Sequence, residues 1–457
     1  MRWCDLQRAG AGRVSLILGA VILSGLATPA LAQRSERGYA RLMQGPMLGP
    51  VSPTSARLWV RGSGVVTYAL EYATRPDFSD ARRTSEQLSA KGDDYTMVFD
   101  LDGLEPGTRY YYHVIADGEI SKYEQKQVPT WFETPPATIE RFRLSFGSCA
   151  RFQDEADQQI WRSVQLIEPD LFFWVGDNIY GDSLDPDILA EEYRRQRDVH
   201  TLQPIIRSVP QLATWDDHDF GLNDHDRTSP AKEGGLRVFK QYWPNPSYGL
   251  PDTPGVFFTY TYGPVEFFFI DCRYHRDPNS ATPSPDKTLL GAAQYAWLIE
   301  SLDASVAVFK VIVSGSGFTL TKGPTGDAWS AFRHERDRLF TEIVDRGIDG
   351  VVLMSGDTHV AELNRIPSPH PRGYALTEIV SSPLAQAPSA RKPEALPEGE
   401  ERLRAYSNNS PNAGVVDFDL TGEDPTITVN MVNIYGELVW KPLVIRRSEL
   451  VIKADRP

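Results

Sequence analysis

The sequence predicts a layered α/β (α+β) domain preceded by a small all-β sandwich. Three features carry this reading. Short alternating strands with turn punctuation run from about Met43 to Pro135, fully apolar strands alternate with amphipathic helical stretches after about Ile139, and alternation returns near the C-terminus. Alternating strands expose one face, whereas strands without alternation are buried on both.

Residues 1–32 read as a signal peptide: Arg2, Arg8 and Arg13, an apolar run from Val14 to about Leu26, then Ala30-Leu31-Ala32 with cleavage near Ala32. No adjacent arginine pair marks the leader, so ordinary unfolded export is expected, to a periplasmic or secreted location. No later stretch reaches the roughly 20 apolar residues of a membrane span. About 425 residues remain, enough for two domains. Removing the leader's three arginines and one aspartate takes the formal charge from −14 to −16. So acidic a surface disfavours nonspecific nucleic-acid binding, and any phosphate site must draw positive charge from bound metal or local cations. Cys4 leaves with the leader. Of the remaining Cys149 and Cys272, each ends what reads as a buried strand, which argues against a bridge between them.

Residues 41–135 form the predicted sandwich, with strands at Ser55–Val60, Val66–Tyr72, Tyr95–Phe99 and after Leu104. The Leu104-Glu105-Pro106-Gly107-Thr108-Arg109-Tyr110-Tyr111-Tyr112 run resembles fibronectin type III and Ig-like domains, where a tyrosine follows a tight turn at the sandwich corner. Trp131 to Pro136 reads as the linker.

Residues 139–450 form the second domain. Its buried strands are Arg143–Phe146, Leu171–Val175, Val265–Ile270, Val308–Val313 and Gly350–Met354, with helices at Asp154–Ile167, Gln294–Leu302 and Phe332–Arg346. Pro383–Glu401 reads as a mobile surface flap. Gly414–Leu420 and Thr426–Val432 read as antiparallel strands at a sheet edge.

Each buried strand ends in a polar cluster, and ligands of α/β sheets bind beyond strand carboxyl ends. The clusters are Gly147-Ser148-Cys149, Gly176-Asp177-Asn178-Ile179-Tyr180, Trp215-Asp216-Asp217-His218-Asp219 and Ser355-Gly356-Asp357-Thr358-His359. Taken singly, Asp177 or Asp357 is a turn or helix cap, Cys149 and Tyr180 are core, and His359 is a satisfied histidine. Taken together, carboxylates, thiol, phenol and imidazole have no joint packing explanation. A metal centre requires this mixture. Thiolate, phenolate and carboxylate around one imidazole suit Fe3+, and carboxylate with amide oxygens suits Ca2+ or another divalent ion at a second position.

These motifs resemble the PhoD-like alkaline phosphatases of the calcineurin-like metallophosphoesterase superfamily. Further matches are Asp271-x-Arg273, Leu290-Gly291-x-x-Gln294-x-x-Trp297-Leu298 and Asp327-x-Trp329. The resemblance implies two central sheets flanked by helices. It also implies Fe3+ held by Cys149, Asp177, Tyr180, Asp357 and His359, with Asp177 bridging to a second ion near Asp217 and Asn223. Asp224 and Cys272 depart from the family pattern. Cys272 reads as a core substitution, with a second metal thiolate as the alternative.

A two-metal site would bind phosphate oxygens and supply hydroxide for in-line attack. His218 is the candidate for stabilising the transition state or protonating the leaving oxygen. Asp216 is read as orienting that imidazole or as a structural hydrogen-bond partner. Arg273 is read as gripping nonbridging oxygens, or as salt-bridged to Asp271, with Arg151 a weaker candidate for the grip. The expected function is hydrolysis of phosphate mono- or diesters by a monomer. The alternatives are a degenerate enzyme acting as a cell-surface binding protein, and related metal chemistry such as halide peroxidation or phosphonate cleavage.

Overall fold

A computed structural model describes residues 40–120, 130–386, 393–407 and 410–454. The leader lies outside them. No helix among the described residues is long and apolar enough to cross a membrane.

The N-terminal unit is a sandwich. Strands Leu42–Ser52, Ser55–Gly62 and Thr96–Asp102 form one sheet, and a second is built on the antiparallel pair Thr67–Ala73 and Arg109–Ala116. Between them Leu58, Val60, Leu70, Phe99, Tyr110 and Tyr112 bury their side chains. The Tyr110 hydroxyl accepts a 2.8 Å bond from the Glu105 amide, closing the corner that the Leu104–Tyr112 run anticipates. The expected linker is instead structured. Trp131–Glu133 pairs with the Arg109–Ala116 strand, because Phe132 is apolar enough to be driven into the core beside Tyr110 and Tyr112.

The second unit has four layers. One sheet runs Gln211–Thr214, Leu171–Val175, Arg141–Gly147, Asn412–Asp419, Thr426–Asn433, Leu443–Arg446. The other runs Phe258–Tyr262, Val265–Phe269, Phe309–Val313, Val351–Ser355, Leu376–Val380, Ala361–Ile366, Glu401–Tyr406. Successive residues of a strand face opposite ways. Phe173 and Val175 therefore meet Phe267 and Phe269 between the sheets, while Phe172 and Trp174 face the helical layer holding Trp161 and Tyr193. Helices Ala292–Ala304 and Arg333–Asp345 cover the second sheet with Leu298, Ile299, Leu339 and Phe340.

Three sequence expectations shift. The helix expected over Asp154–Ile167 spans only Ile160–Leu166. Asn412–Asp419 sits mid-sheet, antiparallel to Arg141–Gly147, rather than at an edge, since both of its faces are apolar enough to be covered. The Pro383–Glu401 stretch has anchored ends: Leu384 and Ala385 are fully buried, and Glu400 forms a buried 2.8 Å ion pair with Arg336.

Two parallel strand sets set the site. Arg141–Gly147, Leu171–Val175 and Gln211–Thr214 run parallel, as do Val265–Phe269, Phe309–Val313, Val351–Ser355 and Leu376–Val380. Their carboxyl ends meet at one rim. Glycine allows the approach: a Cβ on Gly176, which has φ +91°, would lie 3.2 Å from the Gly315 Cα across the gap, and one on Gly356 would lie 2.4 Å from Ser148.

Candidate metal centre

The strand-end residues converge. Cys149 Sγ lies 3.3 Å from Asp177 Oδ2, the Tyr180 hydroxyl lies 3.4 Å from the same oxygen, and that hydroxyl lies 3.3 Å from His359 Nε2. Cys149, Asp177, Asp357 and His359 all adopt left-handed backbone, with φ between 51° and 69°. Such conformations cost about 1–3 kcal/mol each and persist where the surroundings over-determine them, which is typical of functional sites. Loops turning this sharply aim several side chains at one point.

Around this half the supporting bonds are specific. Ser382 Oγ donates to Cys149 Sγ at 3.2 Å and accepts from the His359 amide at 3.0 Å. Gln386 donates to the Tyr180 hydroxyl. Ser148 Oγ accepts from the Asp357 amide at 3.1 Å.

The second half is carboxylate-rich. Ligand-capable atoms of Asp177, Asp217 and His218 lie within 4.8 Å of one another, as do those of Asp217, Asp224 and Asp327, and those of Asp216, Asp327 and Asp357. Asp217 Oδ2 accepts from the Asp224 amide at 2.7 Å. Asn223 is exposed, one residue before Asp224.

Arg273 is fully buried and its guanidinium is occupied. It binds Asp216 through Nε and Asp327 through both terminal nitrogens. Asp271 accepts instead from the backbone amides of Val256, Arg273 and Tyr274. A grip on substrate oxygens is therefore not what this arginine offers, and neither is a side-chain bridge to Asp271. The imidazole of His218 bonds through Nδ1 to Asp182 at 2.5 Å, so its orienting carboxylate is Asp182 rather than Asp216, which faces Arg273. Arg151 lies 5.1 Å over the Tyr180 ring and 3.6 Å from Asp154. Cys149 and Cys272 are both free and buried. Cys272 Sγ lies 3.2 Å from Ser314 Oγ, a core position.

Burial, with Asp357 nearby, pushes the Cys149 thiol up to about 11. Burial, then Cys149 and Asp217, holds the Asp177 carboxyl well above its usual range. Burial tends to neutralise Asp217, but Arg273 and His218 keep it below the usual range. Protein groups thus concentrate potential anions here without neutralising all of them. Asp177 Oδ1 and Asp216 Oδ2 are buried without a hydrogen-bond partner. An unpaired buried carboxylate oxygen is costly, and a cation is the partner that satisfies it. The residues fit a metal centre.

Sequence reasoning left out Asp182, Lys322, Arg276 and Gln386, and quoted Asp327 without giving it a role. The Asp327-x-Trp329 motif was the available signal. Asp182, Lys322 and Gln386 reach partners 35 or more residues away, as Arg276 reaches Asp327, and none of the four carries a local mark for these contacts.

Two facing sheets, helices outside, and an acidic centre with thiol, phenol and imidazole at the strand ends define the metallophosphoesterase class of scaffold. Models of two domain families match: the PhoD-like phosphatase over residues 144–428, and the PhoD-like phosphatase N-terminal domain over 27–129. The chain belongs to the PhoD-like phosphatase family. It is 23% identical over 417 residues to alkaline phosphatase D of Bacillus subtilis (strain 168), covering 77% of this chain and 70% of that one. The solved structure of PhoD superposes with a TM-score of 0.70 at 18% identity, covering 87% of this chain and 88% of that one. A purple acid phosphatase from yellow lupin (Lupinus luteus) seeds gives a TM-score of 0.59 at 12% identity, over 89% and 74%.

Proposed function

We propose that this chain is an exported hydrolase of phosphate esters, diesters as well as monoesters, working at a mixed Fe3+/Ca2+ centre. Cys149, Asp177, Tyr180, Asp357 and His359 would hold the iron. Asp217, Asn223 and Asp224 would surround the divalent ion, with Asp177 shared. The observation that carries the reading is the Asp177 carboxylate, with Cys149 and Tyr180 against one oxygen and the other buried and unpartnered. When bound, such ions neutralise phosphate oxygens and acidify water for attack on phosphorus.

The chain's own residues supply the rest. Asp182 holds His218 Nδ1, which leaves Nε2 as the atom that can pass a proton to the departing oxygen. Packing against Tyr180, with ring centroids 4.1 Å apart and planes tilted by 31°, restricts the imidazole. Arg273 sets the spacing of Asp216 and Asp327, a positioning role. Export rests on the leader, residues 1–32.

The test is metal analysis of purified protein beside hydrolysis of a bis-aryl phosphodiester and an aryl monoester. About one equivalent of iron, a visible tyrosinate-to-iron band and turnover of either ester are expected. Colourless protein that neither retains metal nor hydrolyses either ester would sink the proposal.

A further inference from the structure

A phosphate bound at so acidic a centre is helped by any cation the protein can present beside the metal. Two of the nearby arginines are already committed. Arg273 and Arg276 are 0% exposed, and their donors go to Asp216, Asp327, Asn279 and Ser316. Lys322 differs. Its side chain is 23% exposed, and its ammonium rests on Asp357 Oδ2 and, at 3.1 Å, on the Asp327 carbonyl.

That position has a consequence for charge. Asp357 belongs to the ligand set, so the ammonium sits where a metal would neutralise the same carboxylate. Two cations cannot share it without repulsion. On metal binding the ammonium must turn aside, by rotation about its flexible four-carbon stem. A displaced ammonium beside Asp357 and Asp327 stays at the mouth of the centre, within reach of a ligand bound there.

We propose that Lys322 is the protein's phosphate-binding cation: it holds Asp357 while metal is absent and transfers its charge-assisted hydrogen bond to a nonbridging phosphate oxygen once metal is bound. This deepens the phosphoesterase reading and rests on it for the identity of the ligand. The experiment uses full-length metal-loaded protein, wild type, Lys322→Met and Lys322→Arg, with inorganic phosphate as the probe. Phosphate affinity is read by calorimetry, iron retention separately against a competing chelator, and KM and kcat on an aryl phosphate ester.

In Lys322→Met, phosphate affinity and KM are expected to worsen roughly tenfold while kcat changes less. Iron retention is expected to hold or tighten, because a cation competing for Asp357 is gone. Lys322→Arg should restore part of the phosphate affinity. Phosphate affinity that ignores residue 322, or no phosphate binding by wild type, overturns the assignment. So does a Lys322→Met variant that loses iron retention and thermal stability together, since Lys322 would then be structural. The two readings fail separately: wild type without esterase activity but with Lys322-dependent phosphate binding sinks the hydrolase and keeps the assignment.

Discussion

Arg273 and Asp327 form a two-point buried ion pair, Nη1 to Oδ1 at 3.0 Å and Nη2 to Oδ2 at 2.5 Å, with the same guanidinium bonded through Nε to Asp216. Removing one partner of such a pair strands the other charge in the interior, at a cost of about 3–5 kcal/mol. Arg273→Met is expected to lower the melting temperature sharply. Arg273→Lys should recover only part of the loss, because an ammonium cannot reproduce the planar fork. Scanning calorimetry of the three proteins decides; a Lys variant as stable as wild type would show that charge alone matters there.

Ser382 supports two of the proposed metal ligands at once, Cys149 Sγ at 3.2 Å and the His359 amide at 3.0 Å. Outer partners of this kind are worth about 10–100-fold in metal affinity. Ser382→Ala is expected to weaken iron retention by about that factor against a competing chelator, with its circular dichroism unchanged. Retention equal to wild type would remove Ser382 from the supporting set.

If His218 protonates the leaving oxygen, its loss matters most where that oxygen is basic. His218→Ala is expected to slow alkyl esters by about 10²–10⁴-fold and 4-nitrophenyl esters much less. Asp182→Asn should show the same leaving-group pattern in milder form, since it disturbs the imidazole rather than deleting it. Equal losses on both ester types would point to a role other than proton transfer.

Trp59 belongs to the sandwich but is buried against the second unit, donating to the Gln241 carbonyl at 2.7 Å with its ring 5.7 Å from that of Tyr242. Trp59→Ala is expected to cost about 3–5 kcal/mol. Trp59→Phe keeps most of the bulk and should cost nearer 1 kcal/mol, the hydrogen bond. Limited proteolysis of the Ala variant should cut between the sandwich and the second unit; a single cooperative unfolding step like that of wild type would argue that the seam is less coupled to stability than its burial implies.

Burial raises the Glu378 carboxyl from 4.5 to about 7, despite bonds from the Phe318 amide and Ser355 hydroxyl that favour its ionised form. Between those pH values the folded chain keeps a proton that the unfolded chain has released. Stability contributed by this group therefore falls as pH rises through that window and levels off above it. The full effect is about 3 kcal/mol. Glu378→Gln should flatten the change in melting temperature between pH 4.5 and about pH 7, and its amide can also meet Asn364 Oδ1, which is buried without a partner. A variant that keeps the wild-type slope would assign the pH dependence elsewhere.

How much of the site was legible depends on how far apart its partners lie in sequence. Cys149, Asp177, Tyr180, Asp357 and His359 could be read because each follows an apolar strand within a few residues, and a strand's direction places its end. Asp182 was passed over although it lies two residues from Tyr180, because its partner His218 is 36 residues away. Lys322 meets Asp357 across 35 residues and Arg273 meets Asp327 across 54. The Trp131–Glu133 strand is masked by flanking prolines and its short length, and only its pairing with Arg109–Tyr111 makes it a strand.

The sequence by itself determined the two-unit architecture, the buried strands and the residue types at their ends, since periodicity and chain direction are local properties. Only the tertiary structure decided which atoms face each other. It assigned Asp182 to His218, turned Arg273 toward Asp216 and Asp327, and laid Lys322 on Asp357. The physical reason is that charge pairing at the rim depends on how two separate sheets are packed together, and no local pattern records that distance.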